Sequence, residues 1–336
     1  MKRLLIVAAL LLALTGGLWA QTVDYSVFQS SFQDFADGVA TTLPITASIG
    51  LNWSPAYIGQ FPHFGVGVSL GGMFLPYESM QPIVSALNVE SSIPQELKTY
   101  GLPFPTIAVG ARLGGFIFPF DLGFKFGMIP EQAKGLFSEN VTADYFLIGG
   151  DVRFPLLKGH GLLPTLSVGG GYTFLRGNIG IVDISSGETI DISPVMIAAG
   201  YGGGHTLTIT DPDLVFSWDT HTIEAKAQAS WNLLLFTPHL GIGAAYGISN
   251  AGGGLFSTLA YGGPNDLDTV KSVFASAGYP IPTAQGIEIV SAANGWSFWV
   301  YGGTAINIFF LKLDLSAMYN FIGGGWGASA NVRVQL

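Results

Sequence analysis

The chain has 336 residues, no cysteine and a formal net charge of −9, and only 10% of its residues are charged, against about 25% in ordinary soluble domains. Without cysteine there can be no disulfide, no thiolate metal site and no lipid-modified cysteine anchor, and with no basic patch nothing favours nucleic-acid binding. Glycine, at 47 residues, is roughly twice as frequent as the usual ~7%.

Residues 1–20 read as a secretory signal peptide. Lys2 and Arg3 make a basic start, Leu4 to Leu14 an apolar centre, and Gly16, Gly17 and Ala20 a small-residue end, which predicts cleavage after Ala20. Leu18 is bulkier than the residue usually found three positions before such a cut. Losing Lys2 and Arg3 leaves 11 basic against 22 acidic residues, a charge of −11. No later stretch is a clean helical membrane span. The nearest rival, Trp296 to Leu311, contains Ser297, Gly302, Gly303, Thr304 and Asn307, and it alternates. Strong apolarity without helical spans fits a barrel, which spreads its membrane signal over many short strands.

Residues 21–40 predict a short N-terminal helix. Phe28, Phe32, Phe35 and Val39 recur at spacings of four, three and four, on one helical face. Such a helix either packs on a barrel rim or inserts in the lumen as a plug.

Residues 41–336 predict an antiparallel transmembrane β-barrel, an all-β fold. Period-two alternation marks strands. It runs through Leu43, Ile45, Ala47, Ile49, Leu51 and Trp53, then through Phe64 to Leu70, Ile107 to Leu113, Leu122 to Met128 and Phe146 to Phe154. It continues through Leu166 to Phe174, Ile223 to Trp231, Leu240 to Tyr246, Trp296 to Ile308, Leu311 to Phe321 and Trp326 to Leu336. These are eleven segments, and since closed single-chain barrels normally have an even count, about twelve strands are expected. The twelfth would come from 177–213, where 179–184 and 189–192 flank Ser185–Ser186–Gly187 as a hairpin. Residues 75–104 break the alternation and read as partly helical around Met80 to Asn88.

Long connections in such barrels face outward and short turns face the periplasm. That rule puts 75–104, 129–141, 177–213 and 250–293 outside and 117–120, 155–163, 234–238 and 309–310 inside, with 322–325 as a short outer turn. The first segment would then begin outside, unless a strand is missing or the helix threads the lumen. The short turns are unusually apolar (Phe116, Phe118, Phe120, Leu234, Leu235, Phe236, Phe309, Phe310). An interfacial aromatic belt accounts for them, with Trp53, Trp231 and Trp326 contributing.

By strand parity the lumen face carries Arg112, Asp121, Lys125, Asp151, Arg153, Glu224, Lys226, Lys312, Asp314 and Arg333, six basic and four acidic groups. No charge falls in the middle of an outward face; Asp144 and Arg176 have outward parity but lie at strand ends. An Arg or Lys facing lipid at mid-depth would cost roughly 2–4 kcal/mol, so this segregation is the main sequence argument for a membrane barrel. Asp151 with Arg153, Glu224 with Lys226, and Lys312 with Asp314 are opposite charges two residues apart, on one face of their strands. They are expected to pair, with Arg333 joining the last pair, either as structural ion pairs or as a girdle that sets ion preference and holds the plug.

No catalytic set stands out, so no enzyme activity and no cofactor are expected. His63, His160, His205, His221 and His239 lack ligand spacing. Gly169–Gly170–Gly171 falls inside a strand, where close backbone packing explains it better than a phosphate loop. Asp183, Glu188, Asp191, Asp211 and Asp213 could hold a hard cation, but solvation is their simpler role, and no metal site is assigned.

The run Leu51–Asn52–Trp53–Ser54–Pro55–Ala56–Tyr57–Ile58–Gly59–Gln60–Phe61–Pro62–His63–Phe64–Gly65–Val66–Gly67–Val68 resembles spirochaetal outer-membrane barrel proteins of unassigned function. The resemblance implies a barrel over most of the mature chain and points to no reaction. The closing strand is similar to the C-terminal assembly signal of outer-membrane proteins, but ends in Leu336 instead of an aromatic residue. The N-terminal helix resembles, in architecture alone, the plug of fatty-acid-transporter barrels, whose asparagine–proline–alanine signature is absent.

Residue pattern and resemblance together set the expectations. The chain is exported and resides in the bacterial outer membrane. Its partners are membrane lipids and the barrel-assembly machinery. It passes small solutes passively, or else it uses loops 177–213 and 250–293 as a surface-exposed adhesin or interaction protein.

Overall fold

A computed structural model describes residues 25–86, 95–129, 141–181, 188–276 and 287–336. The expected signal peptide, 1–20, lies outside the described residues, as does Asp183. The elements in chain order are α1 (Tyr25–Ser48), β1 (Phe64–Leu75), α2 (Tyr77–Ala86), α3 (Gln95–Tyr100), β2 (Leu102–Gly114), β3 (Asp121–Met128), β4 (Val141–Leu157) and β5 (Thr165–Ile181). They continue with β6 (Glu188–Asp191), α4 (Ser193–Ala198), β7 (Thr206–Ser230), β8 (Phe236–Gly262), α5 (Leu267–Ser276), β9 (Ile287–Ala292), β10 (Gly295–Ile308), β11 (Leu311–Asn320) and β12 (Trp326–Gln335).

The wall is antiparallel throughout and closes on itself. Each strand pairs with its neighbours, β1 pairs with β12, and β7 pairs with β8. Ten strands make that wall: β1 to β5, β7, β8 and β10 to β12. The other two described strands extend it. Along β7, Ile181 of β5 faces Leu214, and the ladder resumes with Glu188 of β6 facing Ile209. The proposed hairpin of 179–184 with 189–192 is thus replaced by two segments lying in line on β7; 182–187 lie outside the described residues. Along β8, β9 runs into β10 with a break at Ala293–Asn294. There the Asn294 side chain accepts the Ser249 N–H at 2.8 Å, and the Ala293 N–H donates to the Ser249 carbonyl at 2.8 Å.

The count of about twelve strands in the wall corrects to ten: the strand expected from 177–213 only continues the line of β5, and a second expected strand is not in the wall. Leu43 to Trp53 alternates in sequence, but 43–48 finish α1, and Leu51 to Trp53 have no regular structure. All of them are buried, the polar positions as well as the apolar ones. Enclosed on every side, this segment has no wet face, so its period of two reports nothing about a pleat. Removing it also resolves the orientation conflict. With β1 starting at Phe64, connections 115–120, 158–164, 231–235 and 309–310 fall at one end, here the hairpin end. Connections 76–101, 129–140, 182–205, 263–294 and 321–325 fall at the other, the loop end.

Outward positions along the wall, such as Val66, Val68, Phe124, Phe126, Ile148, Ile223, Ile242 and Val332, are exposed apolar side chains. Inward positions are buried and mixed. β11 and β12 have 10 residues each, about the length that crosses a membrane, whereas β7 and β8 have 25 and 27. The surplus forms a four-stranded sheet, β6–β7–β8–β9, beyond the loop end. It carries α4 and α5, whose buried faces include Met196, Val270 and Phe274. Asp266 accepts the Thr269 N–H at 2.7 Å and so caps α5; this bond holds its carboxyl below the usual range.

A closed ladder resists detergent and opens only on heating. Unheated, the refolded protein is expected to migrate faster on a denaturing gel than after boiling, with a strand-dominated circular dichroism spectrum. Identical mobility with a helical spectrum would rule out the closed wall.

Candidate functional site

The lumen is filled by the chain's own N-terminal segment. Helix α1 enters at the loop end, where Phe35 packs against Phe216 with ring centroids 5.4 Å apart and Val39 and Leu43 join a core with Leu75, Phe104, Leu147, Leu175 and Trp218. Phe28 and Phe32 lie in the first two turns of α1, and the side chains described begin at Asp34. Near the loop end Thr41 presents its carbonyl to the Asn320 amide at 2.9 Å and to the Ser297 hydroxyl at 2.6 Å. The chain then leaves helical geometry at Gly50 and descends as an irregular strap. The Phe61 N–H finally donates to the Gly115 carbonyl at 3.1 Å in a hairpin-end turn. The chain crosses the whole lumen before β1 begins, and of the two expected placements the helix takes the one inside the lumen, continued by a strap to the hairpin end.

An irregular strap leaves backbone groups unpaired, and inside a closed wall water cannot serve them freely. Wall side chains do so instead. Lys125 Nζ donates to the carbonyls of Ala47 and, at 3.1 Å, Ile49. Arg112 Nη2 donates to Leu51 O at 2.9 Å and Arg153 Nη1 to Pro55 O at 2.8 Å. Gln228 Nε2 donates to Trp53 O and Ser54 O, both at 2.8 Å. Strap N–H groups find acceptors in the same way: Ser54 on Asp314 Oδ1 at 3.1 Å, Ala56 on Ser230 Oγ at 2.9 Å and Ile58 on Asp121 Oδ2 at 3.2 Å. Trp53, assigned from sequence to the interfacial belt, is instead fully buried in the lumen, with the Arg333 and Arg112 guanidinium carbons 4.9 and 5.7 Å from its ring centroid.

The wall charges also bond one another. Asp121 takes Arg112 Nη1 at 2.5 Å and Arg153 Nη2 at 2.7 Å; Asp151 takes Arg112 Nη2 at 2.6 Å and lies 3.7 Å from Lys226 Nζ. Lys226 pairs with Glu224 at 2.9 Å and donates to Asn52 Oδ1 of the strap at 3.0 Å, and Arg333 pairs with Asp314. Of the three pairs expected at a spacing of two, only Glu224–Lys226 is a direct ion pair among the described residues. Asp151 and Arg153 each turn to other strands. Lys312 points to the hairpin end and donates to the Phe309 carbonyl at 3.1 Å, leaving Asp314 to Arg333.

Register explains the difference. Arg112 faces Gly123, Gly123 faces Asp151, Asp151 faces Gly171 and Gly171 faces Glu224. Charge and glycine alternate across five neighbouring strands, so each long side chain lies over a glycine and reaches the next strand but one. A Cβ at Gly123 would collide with Asp151 Oδ1 and the Arg112 guanidinium. Much of the glycine excess is therefore spatial, keeping room for the charged row and the strap. The sequence shows these glycines, but only the register says what lies over them.

An apolar cavity of about 10 Å³ lies between Phe35, Val39, Phe104 and Trp218. Among the described residues no cluster of His, Cys, Asp and Glu could hold a metal ion. His205 bonds Tyr261 and His221 bonds Tyr172, both outside the lumen.

No family model matches this chain, and no curated protein matches it. Among solved structures it is similar to the translocator domain of the autotransporter NalP from Neisseria meningitidis, at 10% identity and a TM-score of 0.35, covering 93% of this chain and 99% of that one. It is also similar to the CymD monoaromatic hydrocarbon channel, at 9% identity and TM-score 0.27, covering 88% and 94%. A third is the Ralstonia pickettii toluene transporter TbuX, at 10% and 0.26, covering 87% and 93%.

Asp121 is the hub of the lumen network, holding two arginines and a strap N–H. Asp121→Ala would leave the Arg153 guanidinium without its carboxylate and Arg112 with Asp151 alone, and is expected to cost about 3–5 kcal/mol, read from unfolding of the refolded protein in detergent micelles. Lys271→Ala, which removes a surface pair with Asp268, is expected to leave the transition where it was. Equal shifts for the two variants would mean that the lumen network does not hold the strap.

Proposed function

We propose that this protein is an outer-membrane barrel, of the kind its sequence resembles in spirochaetes, closed at rest by its own N-terminal segment. Small polar solutes pass when that segment moves. Export through a cleaved signal peptide and insertion by the barrel-assembly machinery belong to the same reading, which the belt of outward apolar side chains supports.

The observation that carries it is the buried charge of the wall. Arg112, Asp121, Asp151, Arg153, Glu224, Lys226, Asp314 and Arg333 are all buried against the strap. A core meant only for stability is served as well by apolar residues, because desolvating an ion pair commonly cancels its attraction. Charges of both signs around a narrow passage are what an aqueous path requires. Asp151 Oδ1 and Glu224 Oε2 have no hydrogen-bond donor among the described residues, which leaves acceptors for water. The strap suits a movable part. It has no ladder partner, and each of its bonds to a side chain can be exchanged for one to water.

A second reading is favoured by the β6–β9 sheet with α4 and α5. Such a platform costs the chain many residues that a minimal pore does not need. In that reading it binds a partner through 177–213 and 250–293, and the barrel is an anchor.

Planar-bilayer recordings separate the two. The full chain is expected to be silent or to open briefly. A variant lacking residues 25–58 that still shows the heat-dependent gel shift is expected to give discrete, steady openings. In that background, Arg153→Glu with Lys226→Glu is expected to move the reversal potential in a salt gradient toward cation selectivity. A folded deletion variant that stays silent would remove the channel reading and leave the anchor.

A further inference from the structure

We infer that the hairpin end of the barrel sits inside the membrane, its turn tips dipping into the phospholipid of the near leaflet instead of standing in water; this rests on the membrane reading above. Each of the four hairpins at that end finishes on a large apolar residue that is almost wholly exposed: Ile117 at 81%, Leu162 at 86%, Leu234 at 89% and Phe309 at 91%. No other large apolar side chain among the described residues exceeds 68%. Two of these tips also defy turn chemistry. Leu234 has φ 49° and Phe309 has φ 52°, in the left-handed region that turns normally give to glycine or asparagine. In water both features are unfavourable. In lipid the exposed side chain is an anchor whose transfer offsets the strained backbone.

The height of the wall agrees. Near the loop end, outward aromatic pairs mark an interfacial girdle: Phe74 on Trp326 at 4.4 Å, Tyr246 on Trp296 at 5.2 Å and Tyr319 on Phe321 at 5.7 Å. From Tyr319 down to Phe309 the chain covers ten residues. At about 3.4 Å per residue and a tilt of about 40°, that is roughly 26 Å, against an apolar band of about 25 Å. The band that starts at the girdle ends at the tips, where the turns also expose Lys158, His160 and Asn232.

Charge selects lipid over a buried protein partner. Outside the lumen, the charged side chains described at the hairpin end are exposed Lys158 and half-buried Lys312, both basic and long enough to reach headgroup phosphates. Carboxylates of the acidic excess, such as Asp144, Asp219, Asp266 and Asp268, lie at the loop end.

The cysteine-free chain allows single labels. Ile117→Cys, Leu162→Cys, Leu234→Cys and Phe309→Cys would each carry an environment-sensitive fluorophore, in the full chain refolded into phosphatidylcholine–phosphatidylglycerol vesicles. Val68→Cys in the mid-belt and Gly202→Cys at the loop end are the references. The tips are expected to show blue-shifted emission and strong quenching by lipids carrying a nitroxide near the headgroup. Val68→Cys should respond instead to a nitroxide deep in the acyl chain, and Gly202→Cys to neither. Tips with water-like emission beside a quenched Val68→Cys would overturn the inference and leave the membrane reading standing. Tips shielded from aqueous iodide but not quenched by lipid would also overturn it, in favour of a protein partner or a second copy. An unquenched Val68→Cys in a protein that retains its gel shift would remove the membrane reading itself.

Discussion

The structure depends on how the backbone inside the wall is satisfied. A closed sheet pairs its own N–H and C=O groups, but a chain threaded through its centre has no strand to pair with. Helix α1 solves this for Tyr25 to Ser48 by internal bonding, and Pro44 interrupts the ladder only near its end. Lys125 takes the Ala47 and Ile49 carbonyls at the end of the helix; below Gly50 the chain is irregular, and the cost of stripping its carbonyls of water is met by Arg112, Arg153 and Gln228. Arg112 and Arg153 are in turn compensated by Asp121 and Asp151. The charged row is therefore tied to the threaded segment: without it, Lys125, Arg112, Arg153 and Gln228 would each lose a carbonyl acceptor.

The same requirement shapes the sheet. Side chains as long as arginine and lysine cannot stand side by side on neighbouring strands of so narrow a barrel while a second chain passes between them. Alternating charge with glycine across the strands gives each guanidinium or ammonium a trough to lie in. On β8, Gly241 and Gly243 make the same room beneath Tyr301 and Trp299. The inner surface is thus built from two sizes of residue, and its specificity comes from register: a slip of one residue would put the charges in the apolar belt.

The two ends of the barrel differ in kind. Beyond the loop end the wall keeps climbing as a four-stranded sheet, and its exposed surface becomes polar. Arg176 lies opposite Asp219 there, and the Asn250 amide reaches the same carboxylate at 3.3 Å. At the hairpin end the wall stops as soon as the apolar face stops, and the connections are as short as two residues, at 309–310. Barrels with exposed polar connections at both ends have no reason for that asymmetry.

What the sequence determined is what depends on local alternation. Period two over ten-residue segments identified every strand of the wall, because each has an exposed apolar outer face and a mixed buried inner one, and parity alone assigned Arg112, Asp121, Asp151, Arg153, Glu224, Asp314 and Arg333 to the inner face. The same rule failed for Leu43 to Trp53, because a segment buried all round has no contrast of solvent to encode, and chance alternation there made an extra strand and put Trp53 in the belt. The ion pairs were beyond reach for another reason. Spacing along one strand says which charges share a face, but which of them touch depends on the register of five strands and on the glycines between them. Only the closed wall could show that Asp151 reaches past Gly123 to Arg112, and that Arg112, Lys125 and Arg153 also donate to carbonyls of a chain threaded through the middle.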